Sequence, residues 1–356
     1  MALRAQAHID PSAITANAAT LRAAMAPRTR LCAVVKAGGY GHGAALAAEA
    51  AQPDWLGVAT AVEAAELRAA GLTRLRILVM GALSLGEREI ALASRADVVA
   101  WEPAFLDGLP AEARVHVKLD SGMGRLGTRS PEQATAVAEA LAARGQLAGL
   151  MTHFATADVA GDPFFDEQLA RFTAWAGPLR ARFPDALVHA ANSAATFREP
   201  AAHFDMVRAG IALYGLDPAN ADPTRLGLRP ALRLTSCVAA VKPCAAGESA
   251  GYGRRFVAAR DTVLATVPIG YGDGWRRGLS NNADVIIGGA RRPLVGTISM
   301  DNITVDLGPG ATVRPGDAVT LIGDGITAEE VAGRLGTLNY EVTCGLTARV
   351  TRTPMR

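Results

Sequence analysis

Leu31-Cys32-Ala33-Val34-Val35-Lys36-Ala37-Gly38-Gly39-Tyr40-Gly41-His42-Gly43 is an apolar, strand-like run that ends in a lysine and a glycine-rich turn. The alanine-rich stretch 43–51 that follows has helical character, and the next apolar run is 55–59. The same alternation extends in both directions. Helices are expected at 11–26, 61–70, 87–93, 131–144 and 163–183, with a helical turn after Asn192. Strands are expected at 76–80, 97–100, 114–119, 147–152, 186–190 and 206–211. Eight strands separated by helix-sized segments over about 200 residues predict a (β/α)8 TIM-like barrel. A doubly wound sheet usually has fewer strands and a dinucleotide glycine fingerprint, which this chain lacks. Beyond Leu228-Arg229-Pro230 the pattern turns to short strands at 231–241, 262–268, 284–287, 302–305 and 318–321, with one convincing helix at 328–335. The α/β reading is therefore a barrel over residues 8–228 and a mostly β domain over 229–356, to which residues 1–7 add a strand.

Bulk composition narrows the function. Of 356 residues, half are hydrophobic and a fifth charged, with a net charge of +2, so a large core is expected and disorder is not. The basic residues are scattered rather than clustered, which disfavours a nucleic-acid surface. No stretch is apolar for long enough to span a membrane, and the start lacks the pattern of a signal peptide. Cys32, Cys237, Cys244 and Cys344 lack paired metal spacing and read as reduced thiols of a cytoplasmic protein. His42, His153 and His189 lie on separate segments without ligand spacing, so no metal is expected.

The chain has only three lysines, Lys36, Lys118 and Lys242, while thirty-three residues are arginine. Arginine replaces lysine on a solvated surface but not as an amine nucleophile, because guanidinium stays protonated. Lys36 stands where a Schiff-base lysine is expected. In a barrel, catalytic groups sit at the C-terminal strand ends. Lys36, Lys118 with Asp120, His153, His189 and Arg208 all fall there, which points to one buried constellation. Of the five tyrosines, Tyr40, Tyr252, Tyr271 and Tyr340 stand in glycine-rich or loop contexts, presented rather than buried.

Lys36-Ala37, Tyr40-Gly-His-Gly43, Lys118-Leu-Asp-Ser-Gly-Met-Gly-Arg125-Leu-Gly127, Thr152-His153, His189-Ala-Ala-Asn192-Ser193, Val207-Arg208 with Gly210-Ile211, Gly251-Tyr252-Gly253, Gly270-Tyr271 with Asp273-Gly274, Ser299-Met300-Asp301 and Asn339-Tyr340-Glu341 together resemble the alanine racemases. Ten motifs in order across both domains make the resemblance specific. Gly38-Gly39 is a departure, since the family usually has Asn-Ala there. The resemblance implies a cytoplasmic, pyridoxal 5'-phosphate-dependent homodimer that interconverts L- and D-alanine and supplies D-alanine for peptidoglycan. Lys36 would carry the cofactor and act as one base. Tyr252, reaching the other subunit's site, would be the second base, assisted by a chain from Arg208 through His189. Arg208 would face the pyridine nitrogen and leave it unprotonated, because guanidinium only donates. Tyr40, Asn192, Ser193, Tyr340 and the amides of Gly210 and Ile211 would hold the cofactor, with His153 near its ring. Arg125 and the Met300 amide would bind the substrate carboxylate, and Tyr271, Tyr340 and Asp301 would narrow the entrance. Some relatives carry a carbamylated lysine where Lys118 stands, orienting the arginine that matches Arg125. The rival readings are a serine or broad-specificity racemase, a non-catalytic cofactor-binding barrel protein, and a barrel-plus-β-domain decarboxylase, which Arg208 disfavours.

Overall fold

The computed structural model describes residues 4–355. They pack as two compact units, one of residues 14–213 with 226–228, the other of the residues up to Ala13, 214–225 and 229 onward. Residues 1–3 of the stretch expected to add a strand lie outside the described residues. Among the described residues no helix is long and apolar enough to cross a membrane.

The first unit is the barrel. After the N-terminal strand β1 (Ala5–Ile9), which belongs to the other unit, its strands are β2 (Arg30–Val34), β3 (Trp55–Val58), β4 (Arg76–Val79), β5 (Val98–Ala100), β6 (Val115–Lys118), β7 (Leu147–Met151), β8 (Leu187–His189) and β9 (Met206–Ala209). They form two parallel four-stranded sheets, β4-β3-β2-β9 and β5-β6-β7-β8. Backbone hydrogen bonds close both seams. Asp97 bridges to Leu78, with Val79 N–H donating to Asp97 O at 2.9 Å and Asp97 N–H to Ile77 O at 2.7 Å. Asp205 N–H donates to Val188 O, and Arg208 N–H to Ala191 O, each at 2.9 Å. The interior is filled by Cys32, Trp55, Leu78, Val99, Met151 and Met206, one side chain from each of six strands. Helices start where the caps allow. Thr60 with Glu63 and Ser84 with Glu87 form capping boxes, and Ser130 precedes Pro131 at the head of helix Pro131–Ala143.

The second unit is built on a nine-stranded sheet. Its strands are β10 (Leu232–Cys237), β11 (Ala240–Cys244), β14 (Thr262–Val267), β15 (Asp284–Ile287), β16 (Ala290–Val295), β17 (Ile303–Asp306), β18 (Ala318–Ile322) and β19 (Thr351–Pro354), together with β1. The small pair β12 (Ser249–Ala250) and β13 (Phe256–Val257) stands beside it. The order is β11-β14-β17-β16-β15-β18-β10-β1-β19, with β1 antiparallel to β10 and parallel to β19. The strand expected over 231–241 is two strands. The chain changes partners at Val238–Ala239, where one N–H turns to Asp317 O at 2.9 Å and the next to Thr266 O at 2.8 Å. A second helix, Asn339–Cys344, escaped the sequence pattern because it is less than two turns long. Tyr340 therefore stands on a helix, not in a loop.

Candidate active site

The turn after β2 winds left-handed. Ala37, Gly38 and Gly39 have φ of 52°, 60° and 66° with ψ near 45°, and Tyr40 follows at φ 52°. Left-handed winding costs an L-residue roughly 1–2 kcal/mol, and two glycines spare half of that here. The Glu63 carboxylate holds the turn. Oε1 accepts from Ala37 N–H at 2.6 Å, while Oε2 accepts from Ala59 and Thr60 N–H at 2.7 and 3.1 Å. The end of β3 and the residue after Lys36 are thus tied to one side chain. Lys36 Nζ lies 6.0 Å from the centre of the Tyr40 ring. The Tyr40 hydroxyl in turn sits against Gly210, where any Cβ would run into it. Ser193 Oγ accepts from Gly210 N–H at 2.9 Å and Ala212 N–H at 3.4 Å. Asn192 caps helix Ser193–Arg198 by accepting from Ala195 N–H at 3.0 Å, which places Ser193. Ile211 is buried beside Gly210.

Arg208, on β9, is 3% exposed. Its Nη1 donates to His189 Nδ1 at 2.8 Å. Its Nη2 serves Thr152 O at 2.8 Å, Ala190 O at 2.9 Å and His153 Nδ1 at 3.2 Å, three acceptors for two hydrogens. Burial brings the guanidinium down to about 10, so it stays charged at neutral pH. Burial first, then the charges of Arg208, Arg125, Lys118 and Lys36, hold His153 well below the usual histidine range. His189 is held down by burial, Arg208, His116 and Lys118. Lys118 is buried at the end of β6. Burial, Arg208 and Arg125 lower its ammonium to about 8 against the opposing pull of Asp120. Four cations therefore converge at the C-terminal ends of the barrel strands. Asp120 organises the loop that carries Arg125, accepting from Gly122 N–H at 3.1 Å, Gly124 N–H at 3.0 Å and Arg129 Nε at 3.2 Å. Arg125 itself is exposed.

The expected link from Arg208 through His189 to Tyr252 needs correction. Both His189 ring nitrogens are taken inside the barrel, Nδ1 by Arg208 and Nε2 by His116 Nδ1 at 2.8 Å. His153 is the other imidazole on Arg208, and among the described residues only its Nδ1 is engaged.

His116 and Gln168 were not foreseen. His116 lies two residues before Lys118 on the same strand, so period-two alternation puts both on the face that points into the barrel. That signal was legible. Gln168, inside helix Phe164–Arg182, carried none. Its Nε2 donates to Ser121 Oγ and His153 O, both at 3.3 Å, and its Oε1 accepts from Ala155 N–H at 2.8 Å. It joins the loops after β6 and β7.

In the β unit, Tyr252, Tyr271, Met300 and Asp301 come together by backbone contacts. Tyr271 N–H donates to Ser299 O at 3.1 Å, Gly272 N–H to Met300 O at 2.9 Å, and Thr297 Oγ1 to Tyr252 O at 2.8 Å. Asp301 pairs with Arg349 at 2.6 Å. Tyr252, Met300 and Tyr271 are 73%, 52% and 42% exposed. Among the described residues no group of histidines, cysteines and carboxylates is arranged to hold a metal.

The barrel thus gathers Lys36, Lys118, Arg125 and Arg208 around His153, on a chain that also folds a β unit. The alanine racemase N-terminal domain model matches residues 9–218, and the C-terminal domain model matches residues 231–354. The chain is 43% identical to the alanine racemase of Symbiobacterium thermophilum over 97% of this chain and 96% of that one. It is 41% identical to that of Desulfovibrio desulfuricans over the same shares. The alanine racemase structure from D-cycloserine-producing Streptomyces lavendulae superposes with a TM-score of 0.94 at 38% identity, covering 100% of this chain and 98% of that one. The biosynthetic enzyme of Pseudomonas aeruginosa superposes at 0.89, also with 38% identity, covering 99% of each. The chain belongs to the alanine racemase family.

Proposed function

We propose that this protein is a homodimeric, cytoplasmic alanine racemase that uses pyridoxal 5'-phosphate and two bases to supply D-alanine for peptidoglycan. The observation that carries the reading is the ring of cations around Lys36 in a barrel of this family. The residues present fit the cofactor. The bare backbone of Gly210 lets the Tyr40 hydroxyl come close, and Ser193 Oγ accepts from its N–H, so two hydroxyls gather at one strand end. Arg125 would supply positive charge for a substrate carboxylate, and Arg208 lies with it and the two lysines around His153. Among the described residues, Arg208 Nε–H donates to no protein acceptor, which suits a pyridine nitrogen.

When bound, the cofactor supplies an electron sink that acidifies the α-hydrogen of alanine. Tyr40, Asn192, Ser193, Tyr340 and the Gly210 and Ile211 amides would hold it, and the Lys36 amine would carry it. Lys36 takes or returns the α-proton on one face, and Tyr252 of the partner subunit does so on the other. Two bases are needed because racemisation removes a proton on one side and delivers it on the opposite side. His153 accepts from Arg208 on Nδ1, so its proton sits on Nε2 as a donor that stabilises a tyrosine oxyanion. Arg125 and the Met300 amide of the partner subunit bind the substrate carboxylate. Tyr271, Tyr340 and Asp301 restrict the mouth to a small side chain. Lys118, with an amine lowered to about 8, has the neutral form that takes up carbon dioxide. Its carbamate would orient Arg125. Exposure of Tyr252, Met300 and Tyr271 supports the dimer.

The test is racemisation of L-alanine by the purified protein with added cofactor, with serine as competitor. D-alanine should form with kcat/KM favouring alanine; a serine preference would overturn the substrate assignment. Borohydride should fix the cofactor on Lys36, and a label elsewhere would refute the site.

A further inference from the structure

We propose that His116 and Asp97 are positioning residues that fix the proton of His189 and so hold Arg208 in place for the reaction. The proposal rests on the functional reading above.

The argument begins with what each group can donate. Guanidinium has no acceptor, so Arg208 Nη1 donates and His189 Nδ1 must accept. The single proton of a neutral His189 then sits on Nε2. That nitrogen faces His116 Nδ1 at 2.8 Å, which accepts, leaving the His116 proton on Nε2. His116 Nε2 faces Asp97 Oδ2 at 3.1 Å, an acceptor whenever the carboxyl is ionised. Every bond in the row runs in one direction, from Arg208 to Asp97, and each imidazole needs one proton. Reversing any member would set donor against donor in a buried place, at about 1–3 kcal/mol for each group left unsatisfied.

The surroundings support this assignment. Asp97, His116 and His189 are each 0% exposed. Asp97 is kept ionised by Arg76 and by Arg114 Nε at 2.9 Å, both about half exposed and reaching in from outside. Burial pushes its carboxyl up, but the His116 hydrogen bond and the Arg76 and Arg114 contacts bring it below the usual carboxylate range. Burial holds His116 down against the pull of Asp97, so the ring is neutral. The edge of Trp55 closes one side of His116, with ring centres 5.7 Å apart. Gly149 on β7 closes another, and any Cβ there would strike His116 Nδ1. The site is thus shaped for this one ring. A buried carboxylate sets an imidazole tautomer in the same way in serine hydrolases, where asparagine in its place yields the wrong tautomer.

Long-range proton–nitrogen spectra of the histidine-labelled holoenzyme, assigned with single histidine variants, test the assignment. His116 and His189 should both be neutral and protonated on Nε2. A proton on Nδ1 of either ring, or on both nitrogens, would overturn it. Asp97→Asn should move the His189 proton off Nε2 and lower kcat for alanine about tenfold or more, with KM changed by less than about threefold. Arg114→Gln removes a partner of the same carboxylate but leaves both imidazoles. It should keep the tautomers and lose less than about twofold in kcat. Equal losses in the two variants with unchanged tautomers would reduce Asp97 to a structural role. The spectra need no turnover, so absence of alanine racemisation in the wild type would refute the functional reading and leave this test standing.

Discussion

Lys118 shows how burial turns a common residue into a reactive one. Its amine is lowered to about 8, whereas an unfolded lysine titrates near 10.4. Between those values the unfolded state binds more protons than the folded state, so this group makes stability rise with pH from about 8 to about 10.4. Below pH 8 the cost of burying the charge is fully present. In buffer purged of carbon dioxide, unfolding free energy should therefore gain up to ~3 kcal/mol across that window relative to Lys118→Met. Denaturant titrations at pH 7.5 and 10 measure it. With bicarbonate present a carbamylated Lys118 would lose most of that gain, and an unchanged slope would argue against the carbamate. Lysine scarcity drew the eye to Lys36 and Lys118. It did not reveal His116, whose partners Asp97 and His189 lie 19 and 73 residues away in sequence.

At the scale of elements, the turn after β2 and the approach of Gly210 separate two reasons for glycine. A Cβ at Gly38 would meet nothing within 4 Å, yet its φ of 60° is left-handed. Gly38→Ala should cost about 1 kcal/mol by denaturant titration and change cofactor affinity little. Gly210 has no positive φ but no room, since its Cβ would strike Tyr40. Gly210→Ala should cost about 1–3 kcal/mol by pressing on buried Tyr40 and weaken binding of pyridoxal phosphate about tenfold or more, measured by absorbance titration. An equal loss of cofactor affinity at both sites would contradict this division. The barrel strands were legible because apolar runs and helical stretches alternate eight times. In the β unit, β16 was missed because Arg291-Arg292-Pro293 interrupts its apolar character. β12 and β13 are two residues each and leave no periodicity to read.

At the scale of the whole molecule, the proposed second base lies in the β unit, so activity should require two copies of the chain. Activity per protein should fall on dilution in step with the dimer fraction seen by sedimentation, and a fully active monomer would refute a shared site. Tyr252→Phe should slow solvent proton exchange in one direction of racemisation more than the other, about tenfold or more; equal slowing would argue against two bases. Order of motifs along the sequence made both units legible, but the partner on which Tyr252 would act is a matter of assembly that no local pattern records. Asp97 bears on the same scale. Its backbone bridges β4 to β5, and its carboxylate ends the row of imidazoles. Closure of the cylinder and the electrical setting of its far end therefore share one residue. A barrel left ajar at that seam would keep its lysine and its tyrosine yet lose the fixed setting of Arg208, so a slowed turnover would report incomplete closure.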